Sequence, residues 1–208
     1  MPRRPRTRRT NQDTFTRPSP AAVTYDLSER RHATIRVPPG SAWTSGPHWH
    51  VAHTEFLQVL SGTALVTLAG LDLRVEPGDD VVMVPRGVVH EWRRADVDPW
   101  RLKDSEELVV REWTEPSDGA KEVFFRNLNG LILDEAASNR SEGGSSWSGA
   151  LLELELWNLF WRADNYPVVL GLGGGWIGAA ATRVLMGAAV ALGWVLGRPG
   201  VYDEYCAR

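Results

Sequence analysis

Between Ala33 and Trp113 the chain is cut into short apolar segments, "ATIRV", "EFLQVL", "TALVTL", "LDLRV", "DVVMV", "VVHEW" and "ELVVREW", separated by the turn signals "PPG", "SG", "AG", "PGD" and "PRG". No other feature limits the fold so closely. Segments of this length rich in Val, Leu and Trp read as strands, and several alternate apolar with polar residues, as a sheet with one buried face requires. Strands recurring every 8 to 12 residues or so with turn punctuation suggest a sandwich or closed barrel, not a βαβ sheet. A mainly β unit is therefore expected over residues 21–135. The hydrophobic content of 43% in 208 residues is enough for a real core.

Charge and composition narrow the function classes. Residues 1–17 hold Arg3, Arg4, Arg6, Arg8, Arg9 and Arg17 against Asp13; this +5 hides in a total of −3, so the rest of the chain carries −8. A nucleic-acid binder would carry its positive face on the fold itself. Residues 1–20 read as a disordered basic tail, with nuclear or organelle targeting left open. The single cysteine, Cys206, excludes an intramolecular disulfide framework and points to the cytoplasm. "GLGGGWIG" at 171–178 has no preceding strand and no following acidic residue, so it does not signal nucleotide binding.

Beyond the β unit, "AASNRSEGGSSWSG" at 136–149 reads as a flexible loop, and 150–208 as a hydrophobic helical region. Residues 168–197 carry one charge, Arg183. Thirty helical residues would extend about 45 Å, more than a bilayer core of roughly 30 Å needs. Arg183 would cost roughly 2.5 to 3.5 kcal/mol near the centre of a span. A helix from about 176 to 197 packed on the protein is favoured over a span, and Gly187, Ala188, Ala191 and Gly193 suit close helix contact in either case.

The chemistry gathers in "HWHVAHTEFLQVLSG", residues 48–62. In a strand, alternate side chains share a face, so His48 and His50 point one way and Trp49 the other. Glu55 opens the next strand, and His90 arrives in "PRGVVHEW". Three imidazoles and a carboxylate suit Fe, Mn, Ni, Co, Cu or Zn and leave positions open for water, dioxygen or substrate. The expected metal ligands are His48, His50, Glu55 and His90. His53 is expected behind the ligands or at the surface, and Trp92, a pocket candidate, on the barrel face or in the core rather than stacked on substrate. Gly62 and Gly87 are expected at positive φ in the turns that bring the ligand strands together.

These residues resemble the two motifs of the cupin family. The first is met by His48, His50, Glu55 and Gly62; the second by Gly78, Pro85, Gly87 and His90, with one extra residue between Gly78 and Pro85. The resemblance implies a jelly-roll β-barrel, here with a C-terminal helical extension, and one divalent transition metal. "TEFLQVLSG", "VPRGVVHEW", "FFRNLNG" and "GVYDEY" are similar to small single-cupin proteins of filamentous fungi, some from secondary-metabolite gene clusters. This implies an oxidoreductase acting on a small organic metabolite. A metal-dependent isomerase, dehydratase or decarboxylase, and a non-catalytic ligand-binding or membrane-associated module, are the alternatives. Partners expected are a small-molecule substrate and no nucleic acid, with membrane association through 168–197 and a homodimer left open.

Overall fold

The structure, a computed structural model, describes residues 6–95, 106–142, 146–169, 171 and 175–206. Strands β1 (Thr14–Arg17), β2 (Val23–Asp26), β3 (Ala33–Val37), β4 (His48–Trp49), β5 (Thr54–Ser61), β6 (Ala64–Leu68), β7 (Leu71–Val75), β8 (Val82–Val84), β9 (His90–Arg94) and β10 (Leu108–Glu115) precede helices α1 (Ala120–Glu142) and α2 (Ser146–Arg162). A two-residue strand, β11 (Tyr166–Pro167), and helix α3 (Trp176–Leu196) follow.

The strands form two antiparallel sheets, ordered β1-β2-β3-β10-β5-β8 and β11-β4-β9-β6-β7. Period-two alternation decides what each strand buries: β3 turns Ala33, Ile35 and Val37 inward, and β5 turns in Glu55, Leu57 and Val59. The apolar ones among these, together with Val110 of β10, meet Val66 and Trp92 of the facing sheet in one core. Each fully buried Val or Leu there contributes about 1.5–3 kcal/mol. The fold is the expected mainly β barrel with a C-terminal helical extension. Gly62 (φ 68°) and Gly87 (φ 77°) sit in the left-handed region.

Three expectations need correction. Residues 6–20 are an ordered part of the fold, with β1 paired to β2; residues 1–5 lie outside the described residues. The reason is electrostatic. Arg6 reaches Glu155 at 2.6 Å and Arg9 reaches Asp134 at 2.8 Å, carboxylates that the helices hold out of solvent and that need cationic partners. Second, the apolar segment "EVFFRNLNGLIL" is helical, so the barrel strands end at Glu115 and α1 begins at Ala120. Third, the stretch expected as a loop at 136–149 is helical up to Glu142 and again from Ser146; its residues 143–145 lie outside the described ones. Packing of Leu131, Leu159 and Tyr205 in a second core supplies stability that the local composition does not.

The helices close one side of the barrel. Phe125 of α1 enters the barrel core, and Arg126 donates to the Gln12 carbonyl and to Asp13. Helix α3 packs along α2, where Asn158 Nδ2 donates to the Ala189 carbonyl at 3.0 Å. By length and composition α3 is apolar enough to cross a membrane, with a mean hydropathy of 1.7. Gly178, Thr182, Met186 and Gly193 are buried, while Trp176, Val184, Trp194 and Val195 face outward.

Candidate metal centre

Four segments of backbone deliver the cluster. His48 on β4 stands opposite His90 on β9, and Glu55 on β5 stands opposite Val84 on β8. His50 follows β4, and its carbonyl accepts from the Gly87 N–H at 2.6 Å, tying the two motif turns together. All four side chains are buried, and each offers one ligand atom within 4.8 Å of the others. The extra residue between Gly78 and Pro85 has not moved His90 out of the group.

The hydrogen bonds fix the chemistry of the donor set. His48 Nδ1 faces the Gly46 carbonyl at 2.7 Å, His50 Nδ1 the Asp164 carbonyl at 2.6 Å and His90 Nδ1 the Val88 carbonyl at 3.1 Å. A carbonyl oxygen only accepts, so each Nδ1 carries the proton and a neutral ring presents its Nε2 lone pair. Yet His50 Nε2 lies 3.1 Å from Glu55 Oε2, and His90 Nε2 lies 3.1 Å from Glu55 Oε1. Lone pairs facing a carboxylate demand a cation between them, either a proton or a metal ion. The four residues therefore fit a transition metal, and the backbone carbonyls behind the rings hold them in the orientation such a site needs.

Electrostatics carries the same demand. Burial pushes His48 well below the ordinary imidazole range, reinforced by the neighbouring His90 and His50. Burial acts the same way on His90, but the charge and hydrogen bond of Glu55 outweigh it and raise that ring. Burial would raise Glu55, yet Lys121 and His90 hold its carboxyl well below the usual carboxylate range. Lys121, from the first turn of α1, bridges Glu55 and Glu112. Glu112 also accepts from Trp92 Nε1 at 3.2 Å, and burial together with the charge of Glu55 raises it. Burial alone would lower Lys121, but Glu112 and Glu55 raise it, so it remains an ammonium.

The site opens into a cavity of about 170 Å³ with His48, His50 and Lys121 on one part of its wall and Trp43, Phe124, Phe125 and Phe160 on the apolar part. His53 lines the cavity but stands apart from the four-residue cluster. Its Nδ1 meets Asp164 Oδ2 at 2.8 Å and its Nε2 meets Asp118 Oδ2 at 3.2 Å. Trp92 is fully buried in the barrel core and touches the site through Glu112. Sequence reasoning did not single out Lys121, Glu112 or Asp164. The carboxylate of Asp164 accepts from the N–H groups of Val51, Ala52 and His53, pinning the turn that carries His50. No spacing signal marks it, because its partners lie more than 100 positions away.

Residues 33–110, which hold all four residues of the cluster, match the family model described as "Cupin domain". Two fungal relatives carry oxidoreductase names. "Oxidoreductase iacF" of Pestalotiopsis fici is 28% identical over 143 residues, covering 62% of this chain and 67% of the relative. "Probable oxidoreductase virH" of Hypocrea virens is 33% identical over 101 residues, covering 46% of this chain and 43% of the relative, so the match spans less than half of that protein. Among solved structures, a "predicted oxalate decarboxylase" from Thermotoga maritima aligns over 51% of this chain and 95% of its own, with 21% identity and a TM-score of 0.39.

Proposed function

We propose that this chain is a metal-dependent cupin oxidoreductase acting on a small organic metabolite, with His48, His50, Glu55 and His90 holding one divalent transition metal. The observation that carries this reading is the set of Nε2 lone pairs turned toward one buried carboxylate at the edge of an apolar cavity. The names of the two fungal relatives support oxidation as the reaction class; a setting in secondary metabolism rests on the resemblance of the sequence to small fungal cupins alone.

A bound transition metal would supply redox or Lewis-acid chemistry at the positions the protein leaves open. The chain's own residues do the rest. Backbone carbonyls at Gly46, Val88 and Asp164 keep the proton on each Nδ1. The aromatic wall keeps bulk water from the reacting molecule, and Lys121 offsets the charge of Glu55 and Glu112.

The test is elemental analysis of full-length protein purified without added metal or chelator, for the wild type and for His48→Ala, His50→Ala and His90→Ala. Near-stoichiometric transition metal in the wild type, lost in all three folded variants, is expected. The metal-loaded protein should consume dioxygen with an accepted substrate. A folded wild type that neither contains nor takes up a transition metal would overturn the reading.

A further inference from the structure

The cavity contains a cation that the metal cluster does not use. Arg17, at the end of β1, lines it, and among the described residues Arg17 makes no ion pair. Its Nε donates to Asn129 Oδ1 at 2.7 Å and its Nη2 to Tyr25 Oη at 3.1 Å, both neutral oxygens. By contrast, Arg6 and Arg198 are matched to Glu155, Arg9 to Asp134, and Arg126 to Asp13 and Glu122. Lys121, in the same cavity, is already shared by Glu55 and Glu112.

Tyr25 adds a second donor. It is 2% exposed and lines the cavity. Its oxygen accepts from Arg17, whose guanidinium can only donate, so the phenolic hydrogen remains available, and no acceptor meets it among the described residues. A buried hydroxyl whose hydrogen lacks an acceptor is costly unless a ligand or water supplies one. Arg17 and Tyr25 therefore form a donor pair with a net positive charge, the arrangement that planar carboxylates satisfy.

The rest of the cavity describes the body of the ligand. Tyr25 packs against Trp43 (centroids 6.3 Å apart) and Phe125 (5.0 Å); Phe125 packs on Phe124 (5.2 Å), and Phe124 on Phe160 (5.9 Å). This continuous aromatic wall favours a flat, conjugated molecule. The volume of about 170 Å³ falls below the roughly 300–1,000 Å³ of sites for drug-sized ligands, and a cavity of about 150 Å³ takes benzene. One ring with a carboxylate is the right scale.

We infer that the cavity binds a small planar carboxylic acid, its carboxylate on Arg17 and Tyr25 and its apolar body against Trp43, Phe124, Phe125 and Phe160. This rests on the reading of the cavity as the substrate site of the metal centre. Binding is tested on the full-length, metal-loaded protein with two matched pairs, benzoate against benzamide and cinnamate against cinnamamide, by calorimetry and tryptophan fluorescence. The acids should bind at least about tenfold tighter than the amides, the size of one charge-assisted contact. Arg17→Gln should bring each pair to within about twofold, Arg17→Lys should recover part of the preference, and Tyr25→Phe should weaken the acids several-fold. Metal content, measured on the same samples, should not change.

Failure of both acids to bind, or equal binding of acids and amides, overturns the inference. So does a preference that survives Arg17→Gln, because the carboxylate would then be held elsewhere in the cavity. A wild type without metal that still prefers the acids through Arg17 would remove the metal reading and leave the ligand class standing.

Discussion

His50 Nδ1 donates to the backbone carbonyl of Asp164 at 2.6 Å, joining residues 114 positions apart. The same aspartate holds three consecutive N–H groups with its carboxylate and sits at φ 55°, a left-handed conformation in which Asp is tolerated better than Ala. The turn bearing His50 is thus built from the far end of the chain. Replacing Asp164 with Ala removes the side-chain bonds and strains the backbone that presents the carbonyl. A 10- to 100-fold loss of metal affinity, roughly the cost of disturbing groups that orient a metal ligand, is expected in chelator competition. Asp164→Asn keeps the left-handed preference and part of the cap, so its loss should be smaller. Unchanged affinity in Asp164→Ala would show that the cap does not position His50.

Lys121 is the cation that two buried carboxylates share, with Glu55 1% and Glu112 6% exposed at their side chains. Removing one partner of a buried ion pair costs about 3–5 kcal/mol because the charge left behind is uncompensated. In metal-free protein, Lys121→Met should therefore lose stability on that scale in denaturant titrations. A metal on Glu55 would restore part of the missing positive charge, so added metal should raise the midpoint of the variant more than that of the wild type. Equal gains in both proteins would mean that Lys121 and the metal do not act on the same carboxylate.

The strands and the histidine cluster were legible because their signals are local. Alternation along β3 and β5, and the spacing of His48, His50 and Glu55, are set within a few residues of one another. What escaped depends on partners distant in sequence. Lys121 meets Glu55 from 66 positions away, and no helical period announces a lysine aimed into a barrel. The arginine run read as a solvated tail because composition cannot show that Arg6 and Arg9 have carboxylates waiting on α2 and α1. The stretch at 136–149 read as a loop because its composition is small, polar and glycine-rich; it is helical up to Glu142 because it continues α1, whose Leu131 is anchored in the second core.

Gly62 and Gly87 share a left-handed backbone but not the same surroundings. A Cβ on Gly62 would lie 3.0 Å from both the Glu107 carbonyl oxygen and Leu108 Cα, whereas one on Gly87 would meet nothing within 4 Å. Gly87→Ala should cost only the backbone term, about 1–2 kcal/mol. Gly62→Ala adds a clash with the backbone leading into β10, which cannot yield as a flexible side chain would. Thermal denaturation should place Gly62→Ala clearly below Gly87→Ala, and the reverse order would refute this account of the two turns.

Asp134 joins the two ends of the chain to α1, accepting from the Thr7 N–H at 2.8 Å, Arg9 Nη2 at 2.8 Å and the Tyr205 hydroxyl at 2.7 Å. Burial would raise its carboxyl, but these donors outweigh burial and lower it. A carboxyl that ionises more easily folded than unfolded stabilises the fold above the unfolded value, about 3.9. That contribution is lost as pH falls through the lower folded value. Asp134→Asn should thus cost about 2 kcal/mol at neutral pH, the scale of hydrogen bonds to a charged group. The gap between wild type and variant should hold down to about pH 5 and shrink below about pH 3.9 as the unfolded wild type takes up its proton. Denaturant unfolding across that range measures it, and a gap that widened in acid would contradict the sign argued from these three donors.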